Sequence, residues 1–193
     1  KDATGKVWYV DSKTGKFLVK GEYSNFVKQE SDAISEKIYN AANYTWGTDE
    51  EALKEGVEQI YSPEILARVN SSLAAKDSDY KGDEHTMPIE ALILDEETHG
   101  NARPYFQTLI NSGAMTTEQK GNTIARELKH EVEGGLGYTS TSSVNEVMNL
   151  VPQGDRDTRL AVESSLGELR PDLVANEGSL TRAYLAKDKW TAQ

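Results

Sequence analysis

The chain has 193 residues, 37% hydrophobic and 27% charged, with a formal charge of −11 and no cysteine. That length can bury a core as one domain or as two small ones, and zero cysteines exclude disulfides, cysteine-ligated zinc and a thiol nucleophile. Residues 1–30 carry six lysines against four acids, so the remaining body holds −13, which argues against nucleic acid as a partner because phosphate binding needs a basic face.

No apolar run is long enough to cross a bilayer, so the chain reads as a soluble protein of unassigned location. Lys1 stands where an initiator Met is expected, which reads as an excised or processed piece of a longer chain. In chain order, Lys6–Val10 and Lys16–Lys20 flank Asp11-Ser12-Lys13-Thr14-Gly15, a hairpin signal with a glycine in its loop. Two strands are marginal alone, so this arm is expected to dock on the body or on a partner.

From Ser31 the periodicity predicts helix. Ile34, Ile38, Ala41 and Ala42 form the first stripe. Thr48 and Glu51 form a capping box ahead of Leu53, Val57 and Ile60. Ser62-Pro63 is an N-cap followed by proline at the first helical position, leading into Ile65, Leu66, Val69 and Leu73. A polar loop from Ala75 to His85 precedes Pro88 and the stripe Ile89, Leu92 and Ile93, with Gly100 expected to terminate that helix. A fifth helix carries Pro104 near its start and Phe106, Leu109 and Ile110 on one side.

Thr116 opens a second series. Ile124, Leu128 and Val132 form a stripe that Gly134-Gly135-Leu136-Gly137 breaks. Helices are then expected over Thr141–Leu150, over Asp155–Leu169 with Leu160, Leu166 and Leu169 inward, and over Pro171–Lys187. Superposing Gly47 on Gly137 sets a period of about 90 residues, the mark of an internal repeat.

The motif Trp46-Gly47-Thr48-Asp49-Glu50, the acids Asp95-Glu96-Glu97 ahead of Gly100, and the five-helix order together resemble an annexin repeat. The likeness covers residues 31–112 well and 117–189 weakly. It implies an all-α fold of two annexin-like five-helix repeats with a short N-terminal β-hairpin: an arm at 1–30, repeat 1 at 31–113 and a divergent repeat 2 at 114–193. It also implies a weak Ca²⁺ site, with backbone carbonyls of Asn43, Thr45 and Gly47 and the bidentate carboxylate of Glu97 as ligands. The expected partner is then an anionic membrane surface reached through calcium. Thr45 stands where the family has its first glycine, and 49 residues separate Thr48 from Glu97, a longer gap than the family's. In repeat 2 the carboxylate position falls on Ala175, so an ion site is not expected there.

Two other readings compete. The first is a structural or interaction domain of a larger assembly, with no ion site and the acids absorbed by Arg103 or Lys120. The second is a glycan-cleaving enzyme using Glu96 or Glu97, whose apolar wall would raise an acid's pKa. Asp77–Glu84 begins like an EF-hand loop but has Pro88 at the twelfth position, and His130-Glu131 lacks the second histidine of a zincin helix. The leading reading is a non-enzymatic binding protein.

Overall fold

The computed structural model describes residues 9–10, 14–18, 20–43, 47–77, 79–97, 99–134, 141–152 and 154–172. They form eight α-helices: α1 (Lys20–Ala42), α2 (Glu50–Glu58), α3 (Pro63–Lys76), α4 (Pro88–Glu96), α5 (His99–Asn111), α6 (Thr117–Gly134), α7 (Thr141–Met148) and α8 (Arg156–Leu169). A 3-10 turn spans Asp79–Lys81, and two short strands, β1 (Tyr9–Val10) and β2 (Phe17–Leu18), pair antiparallel with Tyr9 opposite Leu18. The protein is mostly helical. No helix among the described residues is long and apolar enough to cross a membrane.

The helix starts have local causes. Ser62 accepts the Ile65 N–H at 3.3 Å ahead of Pro63, as the sequence predicts. Before α6, Thr116 Oγ1 accepts the Gln119 N–H at 3.2 Å while Gln119 returns a side-chain oxygen to the Thr116 N–H at 2.8 Å, a reciprocal box. Asp155 caps α8 through the Thr158 N–H at 2.9 Å. Burial works to raise the Asp155 pKa, but the Thr158 backbone and hydroxyl hydrogen bonds and the Lys120 charge hold it below the ordinary aspartate value.

Four expectations change. Helix α1 begins at Lys20 rather than Ser31, so about a third of the expected arm is helical. Val27 is buried, and Tyr23 and Phe26 pack against the core, extending the stripe upstream. Ser31 and Ser35 hide that continuity, because both are buried and each donates its hydroxyl to the carbonyl three residues back, at 3.0 Å. At α2 the cap is Asp49, which accepts the Ala52 N–H at 3.0 Å, and not Thr48. Helix α4 stops at Glu97, whose extended backbone (φ −125°, ψ 146°) breaks the spiral, so Gly100 lies in the first turn of α5 rather than after α4. Leu160 is 45% exposed; α8 buries Thr158, Val162, Ser165 and Leu166 instead. The glycine-rich loop after Gly134, the last expected helix beyond Asp172, and Ala175 lie outside the described residues.

One apolar core runs through both series, from Ile34, Ile38, Leu53 and Leu66 to Phe106, Leu109, Ile124, Leu128 and Val162. In the first series α1 packs on α2 and α3; in the second, α6 packs on α7 and α8, with α5 in contact with α6. The two leading pairs share a device. Ser35 meets Ser72 Oγ at 2.9 Å between α1 and α3, and Ser165 donates to Asn122 Oδ1 at 2.6 Å between α6 and α8. Gly121 lets α6 and α8 approach closely, because a Cβ there would lie 2.6 Å from the Ala161 Cβ and 2.7 Å from its carbonyl carbon. Gly121→Val is therefore expected to destabilise the protein by about 1–3 kcal/mol through overpacking, read as a lower urea midpoint. An unchanged midpoint would show that the helices separate freely.

Candidate functional site at the end of the fourth helix

The site is assembled from two segments far apart in sequence. Helix α1 ends beside Asn43, whose backbone N–H and side-chain Nδ2 both donate to the Tyr39 carbonyl at 3.0 Å. The loop closes where the Asp49 N–H donates to the Ala41 carbonyl at 2.9 Å. Gly47 has φ +114°, a conformation that strains any residue with a side chain, so glycine is required there. Thr48 is left free of capping duty, and its hydroxyl donates to Glu96 Oε2 at 2.6 Å across 48 residues.

Helix α4 starts under tight control, with Glu90 reaching back to the Met87 N–H at 2.8 Å. It ends with Asp95, Glu96 and Glu97 in its final turn and cap, where the helix dipole already places partial negative charge. Among the described side chains, no lysine or arginine pairs with these three. Arg103 is engaged instead by Glu131 and Glu146, and the Lys120 charge acts on Asp155. Glu131, in the zincin-like run, is thus one half of an ion pair. The loop from Asp77 to Glu84 is closed by Asp side chains accepting the N–H two residues on, at Asp79 and His85, which accounts for its acids locally.

Tyr80 lies behind the acids, 4% exposed, its ring edge-on to Tyr39 with centroids 6.3 Å apart. Burial and then the charges of Asp95 and Glu96 push its hydroxyl pKa up, with the Asn43 side chain opposing. The carboxylates of α4 therefore lean over a polar corner made by Thr48, Asn43 and Tyr80.

Of the expected site residues, Asn43 and Gly47 flank this corner, and Thr45 lies outside the described residues. Glu97 faces the other way, lining a cavity of about 360 Å³ with Glu50, Asn101 and Tyr105. The carboxylate that meets the loop belongs to Glu96. Sequence reasoning passed over Tyr80, which sits in a polar loop, and Tyr105, which stands beside Phe106 and four residues before Leu109 on α5. Among the described residues no three His, Asp or Glu side chains converge as a ready-made metal cluster. Such a cluster is not what a shell of backbone carbonyls and one carboxylate needs. Comparison of the chain with protein-family models, with curated proteins and with solved structures returns no match.

Proposed function

We propose that the chain is a non-enzymatic helical binding module, built as two annexin-like repeats behind an N-terminal β-hairpin. It takes Ca²⁺ weakly where the α1–α2 loop meets the end of α4. The observation that carries this reading is the 2.6 Å hydrogen bond from Thr48 to Glu96, which brings the glycine loop against acids that no described lysine or arginine neutralises. Ca²⁺ accepts carbonyl and carboxylate oxygens in a flexible shell. The carbonyls of Asn43, Thr45 and Gly47 would supply the first kind and the end of α4 the second, with the Thr48 contact favouring Glu96 over Glu97. The analogous packing of α1 on α3 and of α6 on α8 supports a repeated unit. A bound cation would relieve the charge at the negative end of α4 and bridge to lipid phosphate, which a body of −13 otherwise repels.

Titrating Ca²⁺ into the isotopically labelled protein is expected to shift the amides of Asn43 and Gly47–Asp49 together with those of Asp95–Glu97. The dissociation constant is expected in the range of about 10⁻⁴–10⁻³ M, because one carboxylate supplies little ligand charge. Glu96→Gln keeps the volume, removes the charge and is expected to abolish the coupled shifts. In chelator the protein is expected to stay in the supernatant when anionic liposomes are pelleted. Absence of coupled shifts at millimolar Ca²⁺ would sink the ion site and leave the interaction domain of a larger assembly as the better reading.

A further inference from the structure

We propose that Tyr80 is a positioning residue for the calcium site, holding Asn43 at the end of α1 in the arrangement that meets the ion. The proposal rests on the calcium reading above. It adds a third segment, the 3-10 turn between α3 and α4, to the two segments that supply the ligands.

The backbone around Tyr80 is closed on both sides. Asp77 Oδ1 accepts the Asp79 N–H at 2.9 Å, and the Asp83 N–H donates to the Thr86 carbonyl at 2.9 Å. Gly82 permits the second closure, because its φ is +68° and a Cβ there would collide with the Thr86 carbonyl oxygen. Helices α3 and α4 both pack on the turn. A residue from a polar loop is thereby driven inward until it is only 4% exposed.

Tyr80 then meets the end of α1 at two places. Its ring stands edge-on to Tyr39, with centroids 6.3 Å apart, and the Lys76 ammonium lies 5.1 Å from the Tyr39 centroid. Its hydroxyl shares a hydrogen bond with the Asn43 side chain. Asn43 is also tied to the Tyr39 carbonyl, through its own N–H and through Nδ2, each at 3.0 Å. Tyr80 therefore braces both the residue that Asn43 hangs from and the Asn43 side chain. The Asn43 carbonyl is one of the ligands in the calcium reading, so fixing this residue leaves less ordering for the ion to bring about. The charges of Asp95 and Glu96 reach the same hydroxyl. The phenol thus stands between the end of α1 and the acids of α4.

The test is an amide-shift titration with Ca²⁺ of the wild type, Tyr80→Phe, Asn43→Ala and the double variant, with a urea midpoint for each. Tyr80→Phe keeps the ring and removes only the oxygen. It is expected to weaken Ca²⁺ binding about three- to tenfold, the effect of one hydrogen bond, and to move the Asn43 side-chain amide resonances in the ion-free protein. Because Tyr80 acts through Asn43, the double variant is expected to bind no more weakly than Asn43→Ala alone. A hydroxyl that served folding alone would lower the urea midpoint and leave the affinity unchanged. Tyr61→Phe, which removes a hydroxyl that donates to Glu30 of α1 at 2.6 Å, is expected to keep the wild-type affinity. Asn43 is exposed, so Asn43→Ala decides if Tyr80→Phe fails to fold: unchanged affinity there overturns the proposal. Coupled shifts in the wild type with unchanged affinity in Tyr80→Phe, or losses that simply add in the double variant, overturn the positioning role and leave the calcium reading standing. Absence of coupled shifts in the wild type overturns both.

Discussion

Arg126→Ala is expected to destabilise the protein by about 3–5 kcal/mol, a large part of the roughly 5–15 kcal/mol that holds a typical domain folded. Arg126 on α6 forks onto Glu90 of α4, with Nη1 to Oε2 at 3.1 Å and Nη2 to Oε1 at 3.4 Å, and also lies 3.6 Å from Glu127. Glu90 is 1% exposed and Glu127 is completely buried. Removing the guanidinium leaves the buried Glu90 carboxylate without the cation that offsets its lost hydration, and the hydrogen bonds from Thr123 and Met87 to Glu90 cannot replace a charge. Combining Glu90→Leu, Arg126→Met and Glu127→Leu is expected to recover most of the loss, because a well-packed apolar replacement carries no desolvation cost. Urea unfolding of the single and triple variants checks both statements. A triple variant less stable than Arg126→Ala would show that the charges contribute more than their mutual compensation.

Phe106→Ala is expected to cost about 3–5 kcal/mol, from lost burial and from the cavity left behind. Phe106 projects from α5 and is fully buried where the two helical series meet. The guanidinium carbon of Arg126 lies 5.1 Å from its ring centroid, so the ring also faces the cation that joins α4 to α6. A double-mutant cycle between Phe106→Ala and Arg126→Ala is expected to show a coupling of about 0.5–2 kcal/mol. Strict additivity would mean that the stacking contributes nothing and that each residue acts alone.

The features legible in the sequence are those whose physics is complete within about two helical turns. Ser62-Pro63 starts a helix because the hydroxyl and the ring act on the adjacent backbone. The buried positions of α2, α3 and α7 follow from apolar periodicity alone. The helical character of the chain and the meeting of acids at the end of α4 were readable in this way. Tertiary structure decided the rest. Ser31 and Ser35 read as polar breaks in a stripe, and only the tertiary structure shows that both are buried, with Ser35 meeting Ser72 of α3. Leu160 is apolar but stands half a turn out of phase with Leu169, and the face of α8 that packs on α6 carries Thr158, Val162, Ser165 and Leu166 instead. Glu90 and Glu127 look like solvated helix acids until Arg126 is placed beside them. Glu96 and Glu97 are neighbours of one type, and the chain distinguishes them only by which distant group each meets: Thr48 for the first, Glu50 and Tyr105 for the second. Local periodicity fixes the angle at which a side chain leaves its helix. The partner it finds there depends on how helices separated by tens of residues pack, and a single sequence does not encode that in any local pattern.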